Sequence, residues 1–294
     1  MKPLKAICSQ TLVSKDTQAP KMATFFGEVI NLPSRAVDDD EEEEEDETQS
    51  RFPEPELQWK HDFQKDIEQS PGKRFGCEML IIGIGPAATG FLDAYILWDD
   101  PTIVGTIDCD PNRSEVRPES VAGHRTCSVY RLKRQPEVLV CQCKHEIVPE
   151  MCHIWTEKMF QDLDTTKLQV IVMDTAPTTE YRTQMSPSEM STPFLRSLQS
   201  QTHSSKLQCQ VLESPNVVKG LSAAVLSHCH IFGVSCVVYV GFLDGLFLHT
   251  DDIKVFNSLL SNSPLKKIYK KNPNADAVLR KLVERRALHG SLYT

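Results

Sequence analysis

The sequence contains no G-x-S-x-G elbow, no P-loop, no H-E-x-x-H pair and no C-x-x-C pair in its 294 residues. These absences close the common routes to a serine hydrolase, a P-loop nucleotidase, a zinc peptidase or a zinc ribbon. An apolar leader is lacking as well. Residues 1–21 carry four lysines, one acid and no arginine, with little amphipathic period, so no secretory or transit signal is expected. A basic excess is also missing. The net charge is −8, from 32 basic and 40 acidic residues, and ten of the acids form one unbroken run from Asp38 to Glu47. Without that run the balance is 32 against 30, too close to neutral for a nucleic-acid partner. Aromatics are sparse at 7%, which suits a chain of which part does not fold.

Cysteine is plentiful: Cys8, Cys77, Cys109, Cys127, Cys141, Cys143, Cys152, Cys209, Cys229 and Cys236. Several of them sit inside apolar strand or helix patterns of a chain long enough to fold without staples. They are therefore expected to be reduced, in a cytoplasmic or nuclear setting. Gly220 to Leu243 carries no charge, but Gly233 divides it into a helical pattern and a β-branched run. A buried helix followed by a buried strand fits this better than a membrane span.

Composition makes residues 1–70 a disordered acidic tail that folding does not need, and 71–290 the body. Within the tail, Leu57, Trp59, Phe63 and Ile67 have rough helical spacing. They mark either a short docked helix or a polar linker. In the body, Met79–Gly85, Ile103–Ile107, Thr126–Leu132, Glu137–Cys143, Leu168–Met173 and Val234–Val240 read as strands. Ala87–Trp98, Glu150–Leu163, Pro193–Leu198, Pro215–Phe232, Ile253–Leu260 and Ala275–Leu288 read as helices. The stretches 108–123 and 174–191 read as loops, and His289–Gly290 as a break after the last helix. Buried strands alternating with helices predict an α/β fold: a mostly parallel sheet covered by helices on both faces.

Three constellations invite chemistry. Gly83-x-Gly85-x-x-Ala88 follows a strand and opens a helix, with Asp108 at the end of the next strand. A nucleotide-binding α/β enzyme needs that arrangement, the glycines admitting a pyrophosphate and the acid a ribose hydroxyl. A tight βα turn, which every α/β sheet needs somewhere, explains it without a ligand, and Pro86 removes one N–H from the cradle. Cys141-x-Cys143-x-His145 with Cys152–His153 offers zinc-type ligands at poor spacing, so no metal is expected. His228 and His230, beside Cys229 and in reach of Cys236, do not share a helix face and build no nucleophile–base pair.

Other segments carry a resemblance. Met22-Ala-Thr-Phe-Phe-Gly-Glu-Val29 with the acidic run, Val138–Cys143, Thr192–Leu198, Pro215–Ser227 and the ending Leu292-Tyr293-Thr294 resemble vertebrate members of the proteasome assembly chaperone family, over residues 22 to 294. Residues 1–21 precede the usual start, which leaves Met22 as an alternative initiator.

The resemblance implies a non-enzymatic chaperone without cofactor. It would pair with proteasome assembly chaperone 2 as a heterodimer, act on the α-ring of the 20S proteasome and block off-pathway association on its outer face. It would work in the cytoplasm, with the nucleus and the endoplasmic reticulum surface as further places. It also implies a three-layer fold like that of nucleoside phosphorylases, without their chemistry. Residues 291–294 would form a docking tail, in which Leu292, Tyr293 and Thr294 enter a pocket between α subunits.

Overall fold

Fully buried runs of aliphatic residues suit strands covered on both faces, and here such strands form the middle of the molecule. The computed structural model describes residues 54–109, 126–184, 190–245, 247–262 and 264–291. Strand β2 (Met79–Ile84) is buried along its whole length. Leu80, Ile82 and Ile84 belong to one core, while Met79 and Ile81 belong to the other. Beside β2 lie β5 (Gln135–Cys143) and β6 (Gln169–Pro177), both parallel to it, and β9 (Ser235–Leu243) runs parallel to β6.

The flanks of the sheet are built differently. On one side β4 (Thr126–Leu132), β3 (Thr102–Asp108) and β1 (Glu56–Trp59) follow as an antiparallel meander. On the other, β7 (Phe194–Gln199) pairs antiparallel with β9 and carries the short β8 (Gln210–Val211). Among the described residues the strand order is β1-β3-β4-β5-β2-β6-β9-β7-β8. The α/β expectation holds, with the parallel part confined to the centre.

Helices complete the three layers. Helices α1 (His61–Gln69), α3 (Pro149–Phe160) and α4 (Gly220–Ile231) cover one face, over a core centred on Trp155, Met159 and Val225. Helices α2 (Gly85–Tyr95), α5 (Thr250–Lys254), α6 (Leu259–Asn262) and α7 (Ala275–Ser291) cover the other, around Phe91, Phe256 and Leu279. Two close approaches require glycine. A Cβ on Gly83 would stand 2.5 Å from Leu92 Cδ1, so Gly83 lets α2 lie against the sheet. A Cβ on Gly105 would stand 2.4 Å from the Trp59 ring, which lies across β3.

Several elements depart from the sequence reading. Residues 56–69 are not tail: they form β1 and α1, with Phe63 and Ile67 in the core. The body thus starts near residue 54, not 71. Leu57 and Trp59 lie on the strand and Phe63 and Ile67 on the helix, so the apparent helical spacing crossed an element boundary.

Residues 194–199 are a strand rather than a helix, because the free edge of β9 needs a partner. Strand β6 runs on to Pro177 through residues expected to be a loop. Helix α4 begins at Gly220 rather than Pro215. The segment before it is held as a loop by Asn216, whose side chain accepts from Arg182 N–H (2.7 Å) and donates to the Arg182 and Glu213 carbonyls (2.9 Å each). The predicted 253–260 helix splits into α5, a 3-10 turn and α6. Finally, α7 passes through His289–Gly290 to Ser291. A single glycine in the last turn costs about 0.5–1 kcal/mol, which good helix formers such as Ala287 and Leu288 offset.

The uncharged stretch 220–243 is α4 followed by β9, as expected, and among the described residues no helix is long and apolar enough to cross a membrane. The acidic run lies outside the described residues.

Candidate functional site

In an open parallel sheet the strand carboxyl ends leave a crevice where the chain turns away to opposite faces. Here the crevice lies beyond β2, β5, β6 and β9 and has a volume of about 1150 Å³. Its floor and walls include Gly85–Pro86, the Lys144–Ile147 turn, Asp174–Pro177 of β6 and the Asn216–Leu221 approach to α4. Strand β6 stays paired with β9 out to Pro177↔Leu243, which carries polar residues to the rim.

Asp174 is the most perturbed group there. Its carboxylate accepts the Thr175 N–H at 2.7 Å and the Ser222 hydroxyl in the first turn of α4. It thereby supplies a negative charge at a helix N-terminus, where the backbone dipoles favour one. Burial nevertheless dominates and pushes its pKa up to about 6, with the nearby Glu146 carboxylate adding to the rise. Around it the rim mixes signs: Lys144, Arg182 and Lys219 against Glu146 and Glu180, with Lys219 and Glu180 paired at 2.9 Å. Val217, largely exposed at 69%, adds an apolar point to the rim.

The dinucleotide reading requires Gly83, Gly85 and Asp108 to converge. Gly85 does open α2 at the crevice, with φ +75°. Asp108 stands at the end of β3, however, and β4 and β5 separate β3 from β2. The next strand in sequence is therefore not the next in space, and the structure does not bring these three residues together.

The zinc-type candidates scatter in the same way. Cys141 and Cys143 share the buried face of β5 with sulfurs 4.0 Å apart. Cys152 points its thiol at the Ile147 and Val148 carbonyls, whereas His153 is exposed beside Glu157 at 3.4 Å. His145 faces the crevice. What the sequence hid is that Cys109, just past the end of β3, and Cys127, on β4, join the other two. Cys127 is hydrogen-bonded to both Cys109 and Cys143. Burial holds Cys143 protonated and pushes Cys77 up to about 12. Among the described residues no three His, Cys, Asp or Glu side chains are placed to hold a metal.

Cys229 and Cys236 form a second buried thiol contact. His228 stacks between Phe160 (4.7 Å) and Phe232 (4.5 Å), and burial lowers its pKa. His230 is exposed on another side of α4.

Leu292, Tyr293 and Thr294 lie outside the described residues, but the helix that leads to them does not. Asn272 donates to the Ala94 carbonyl at 2.8 Å, and Leu282 packs at Gly90, so α7 runs back along α2 toward the crevice edge. From the level of Gly90, α2 extends about 7 Å to Gly85, while α7 extends about 13 Å to Ser291. The end of α7 therefore reaches about one turn beyond the start of α2, on the edge that holds the crevice.

Residues 22–294 match the family model described as Proteasome assembly chaperone 4. A protein named Proteasome assembly chaperone 1 from Xenopus laevis is 36% identical over 290 residues, covering 92% of this chain and all of its own length. Its namesake from Danio rerio is 36% identical over 286 residues, covering 93% of this chain and all of its own length. Among solved structures, PbaB from Pyrococcus furiosus, titled an archaeal proteasome activator, superposes with a TM-score of 0.50 at 12% identity. That superposition covers 82% of this chain and 99% of PbaB.

Proposed function

The chain belongs to the proteasome assembly chaperone family, and from that premise we propose that it promotes assembly of the 20S proteasome α-ring as one half of a heterodimer with proteasome assembly chaperone 2. On this reading it is a binding protein with no catalytic centre. It acts in the cytoplasm and occupies the outer face of the ring, blocking off-pathway association there. The observation that carries the reading is the match across residues 22–294 with relatives of that name.

The course of α7 supports a docking role for the ending. On this reading α7, whose last described residue is Ser291, leads the chain toward the crevice edge, and Leu292, Tyr293 and Thr294 follow it in sequence. In this proposal the terminal carboxylate pairs with a lysine in a pocket between α subunits, Tyr293 packs its ring and Leu292 fills an apolar site. A charge-assisted hydrogen bond contributes about 1.5–3 kcal/mol and the apolar contacts a similar amount. After the cost of ordering the tail, affinity is about micromolar to millimolar, so the partner subunit must add a second contact.

The test uses the heterodimer and purified α-ring precursors. Deleting Thr294, or Tyr293→Ala, is expected to weaken ring binding about tenfold while heterodimer formation is unchanged. Unaltered ring affinity in both variants would remove the tail from the mechanism.

We place the partner surface on the other helical layer. Ile231 and Phe232, adjacent at the end of α4, are 74% and 65% exposed, unusual for large apolar neighbours in a protein that works alone. Phe232→Glu is expected to weaken co-purification with the partner about tenfold while leaving the melting temperature of the isolated chain within a few degrees. Undiminished pairing would move the interface elsewhere.

A further inference from the structure

The edge opposite the crevice carries a concentration of positive charge. The turn between β4 and β5 supplies Lys133 and Arg134, and the segment joining α6 to α7 supplies Lys266, Lys267, Lys270 and Lys271, all exposed. Two carboxylates lie among these six cations. Asp99 takes Arg134 at 3.0 Å and Lys270 at 3.3 Å, and Asp100 takes Lys133. Among the described residues no carboxylate lies within ion-pair distance of Lys266, Lys267 or Lys271. Six cations against two acids leave about four positive charges on one surface, whereas the rest of residues 54–294 carries 20 basic against 26 acidic residues.

The surface is also held in shape, which a run of solvated lysines on a loose loop would not be. Leu265 is fully buried and anchors the segment in the core. Gln135 Nε2 donates to the Lys267 carbonyl at 3.0 Å and ties the β4–β5 turn to it. Trp98 Nε1 donates to the Lys270 carbonyl at 3.1 Å, and the Lys270 ammonium sits 5.1 Å from the Trp98 ring centre. Asn272 then fastens the segment to the end of α2. Fixing the backbone beforehand lowers the ordering cost of a bound partner.

We propose that this edge is a docking platform for an acidic, extended segment of another protein, gripped chiefly by Lys266, Lys267 and Lys271. The surroundings favour that class of partner. The Trp98 ring already carries Lys270, so that face is not offered to a nucleic-acid base. None of the large exposed apolar side chains, Val211, Val217, Ile231, Phe232 and Phe247, belongs to these segments, so nothing here inserts into a lipid surface. Asp99 and Asp100 space the cations into separate points, which suits discrete carboxylates better than a continuous phosphate backbone. Because the platform lies at the opposite edge from the end of α7, it stays open whatever the carboxyl terminus engages.

The test uses the full chain and a fluorescein-labelled decaglutamate peptide, read by anisotropy. The chain lacking Asp38–Glu47 is measured in parallel so that the probe meets no competing acidic segment. Saturable binding is expected at 100 mM salt, weakening at least tenfold at 500 mM. Lys266→Glu with Lys267→Glu and Lys271→Glu is expected to weaken it at least tenfold at 100 mM, and Lys144→Glu at the crevice edge to leave it within twofold. Should the triple reversal unfold, Lys266→Gln with Lys267→Gln and Lys271→Gln serves instead, with at least a threefold loss expected. Binding unchanged in a folded triple variant, or no saturable binding by either chain, would overturn the platform. Tighter binding to a 20-nucleotide single strand, or to vesicles one-third phosphatidylserine, with the same sensitivity to the variants, would overturn the assignment to an acidic protein segment.

Discussion

A chain starting at Ser70 should lose most of its stability, whereas one starting at Ser50 should unfold like the full protein. The difference lies in β1 and α1. Removing them takes four residues of pairing from β3, from Glu56↔Asp108 to Trp59↔Gly105. It removes the bond from Trp59 Nε1 to Asp162 Oδ2 at 2.8 Å. It also strips away Phe63 and Ile67, only 2% and 3% exposed. Phe63 packs on Phe75 at 4.7 Å and on Trp59 at 4.8 Å, and Arg131 lies over Phe63 and Phe75 while pairing with Asp66 at 2.6 Å.

Two fully buried apolar side chains contribute about 1.5–3 kcal/mol each, and the Trp59 ring adds a similar amount. The sum, about 5–9 kcal/mol, rivals the 5–15 kcal/mol that a domain has in total. The truncation also bares β3 as a sheet edge, which invites aggregation. Denaturant titration of both chains decides it: a chain from Ser70 that keeps more than two-thirds of the full-length unfolding free energy would show that β1 and α1 are ornament rather than structure.

This expectation reverses the one drawn from composition, and the reason is physical. The acidic run and Pro53, Pro55 dominate the local average, while the burial is done by four residues split between two element types. Sequence periodicity can only sum a residue with neighbours on its own element. Strands β2 and β9 were legible because both faces are covered, so nearly every side chain is aliphatic.

The far end of β6 was not legible, because Asp174 to Pro177 line the crevice and obey the demands of a surface. Strand β7 was misread since its apolar residues Phe194, Leu195 and Leu198 suit a helix face; only the open edge of β9 makes them a strand. Contacts between Cys109, just past β3, Cys127 on β4 and Cys143 on β5 join distant parts of the chain, and no spacing rule reports that. At the candidate site the sequence pointed to Gly85, while Asp174, Arg182 and Lys219 come together only through the parallel topology.

Asp174→Asn should stabilise the protein at pH 8 by up to about 3 kcal/mol and change little at pH 3. The carboxyl titrates near 6 in the folded chain against an ordinary value of 3.8, chiefly because it is buried. Each tenfold change in proton affinity between the folded and unfolded chain corresponds to about 1.4 kcal/mol. The sign follows from proton counts. Between pH 3.8 and 6 the folded state holds a proton that the unfolded state has released, so stability falls as pH rises through that window. Above pH 6 both states are ionised and the whole penalty of a buried charge remains.

Asparagine removes the charge and keeps both bonds: its carbonyl accepts the Thr175 N–H, and its amide donates to the Ser222 hydroxyl, which turns to accept. Asp174→Ala is the contrast: it relieves the same charge but leaves the Thr175 N–H and the Ser222 hydroxyl without their partner, so it should destabilise by about 1–3 kcal/mol at pH 3 and fall short of the Asp174→Asn gain by that amount at pH 8. Unfolding free energies of the three proteins at pH 3, 5 and 8 separate the cases. A gain for Asp174→Asn that is equal at pH 3 and pH 8 would place its origin outside the titration, and a loss at pH 8 would mean that the carboxylate at the start of α4 stabilises that helix by more than its burial costs.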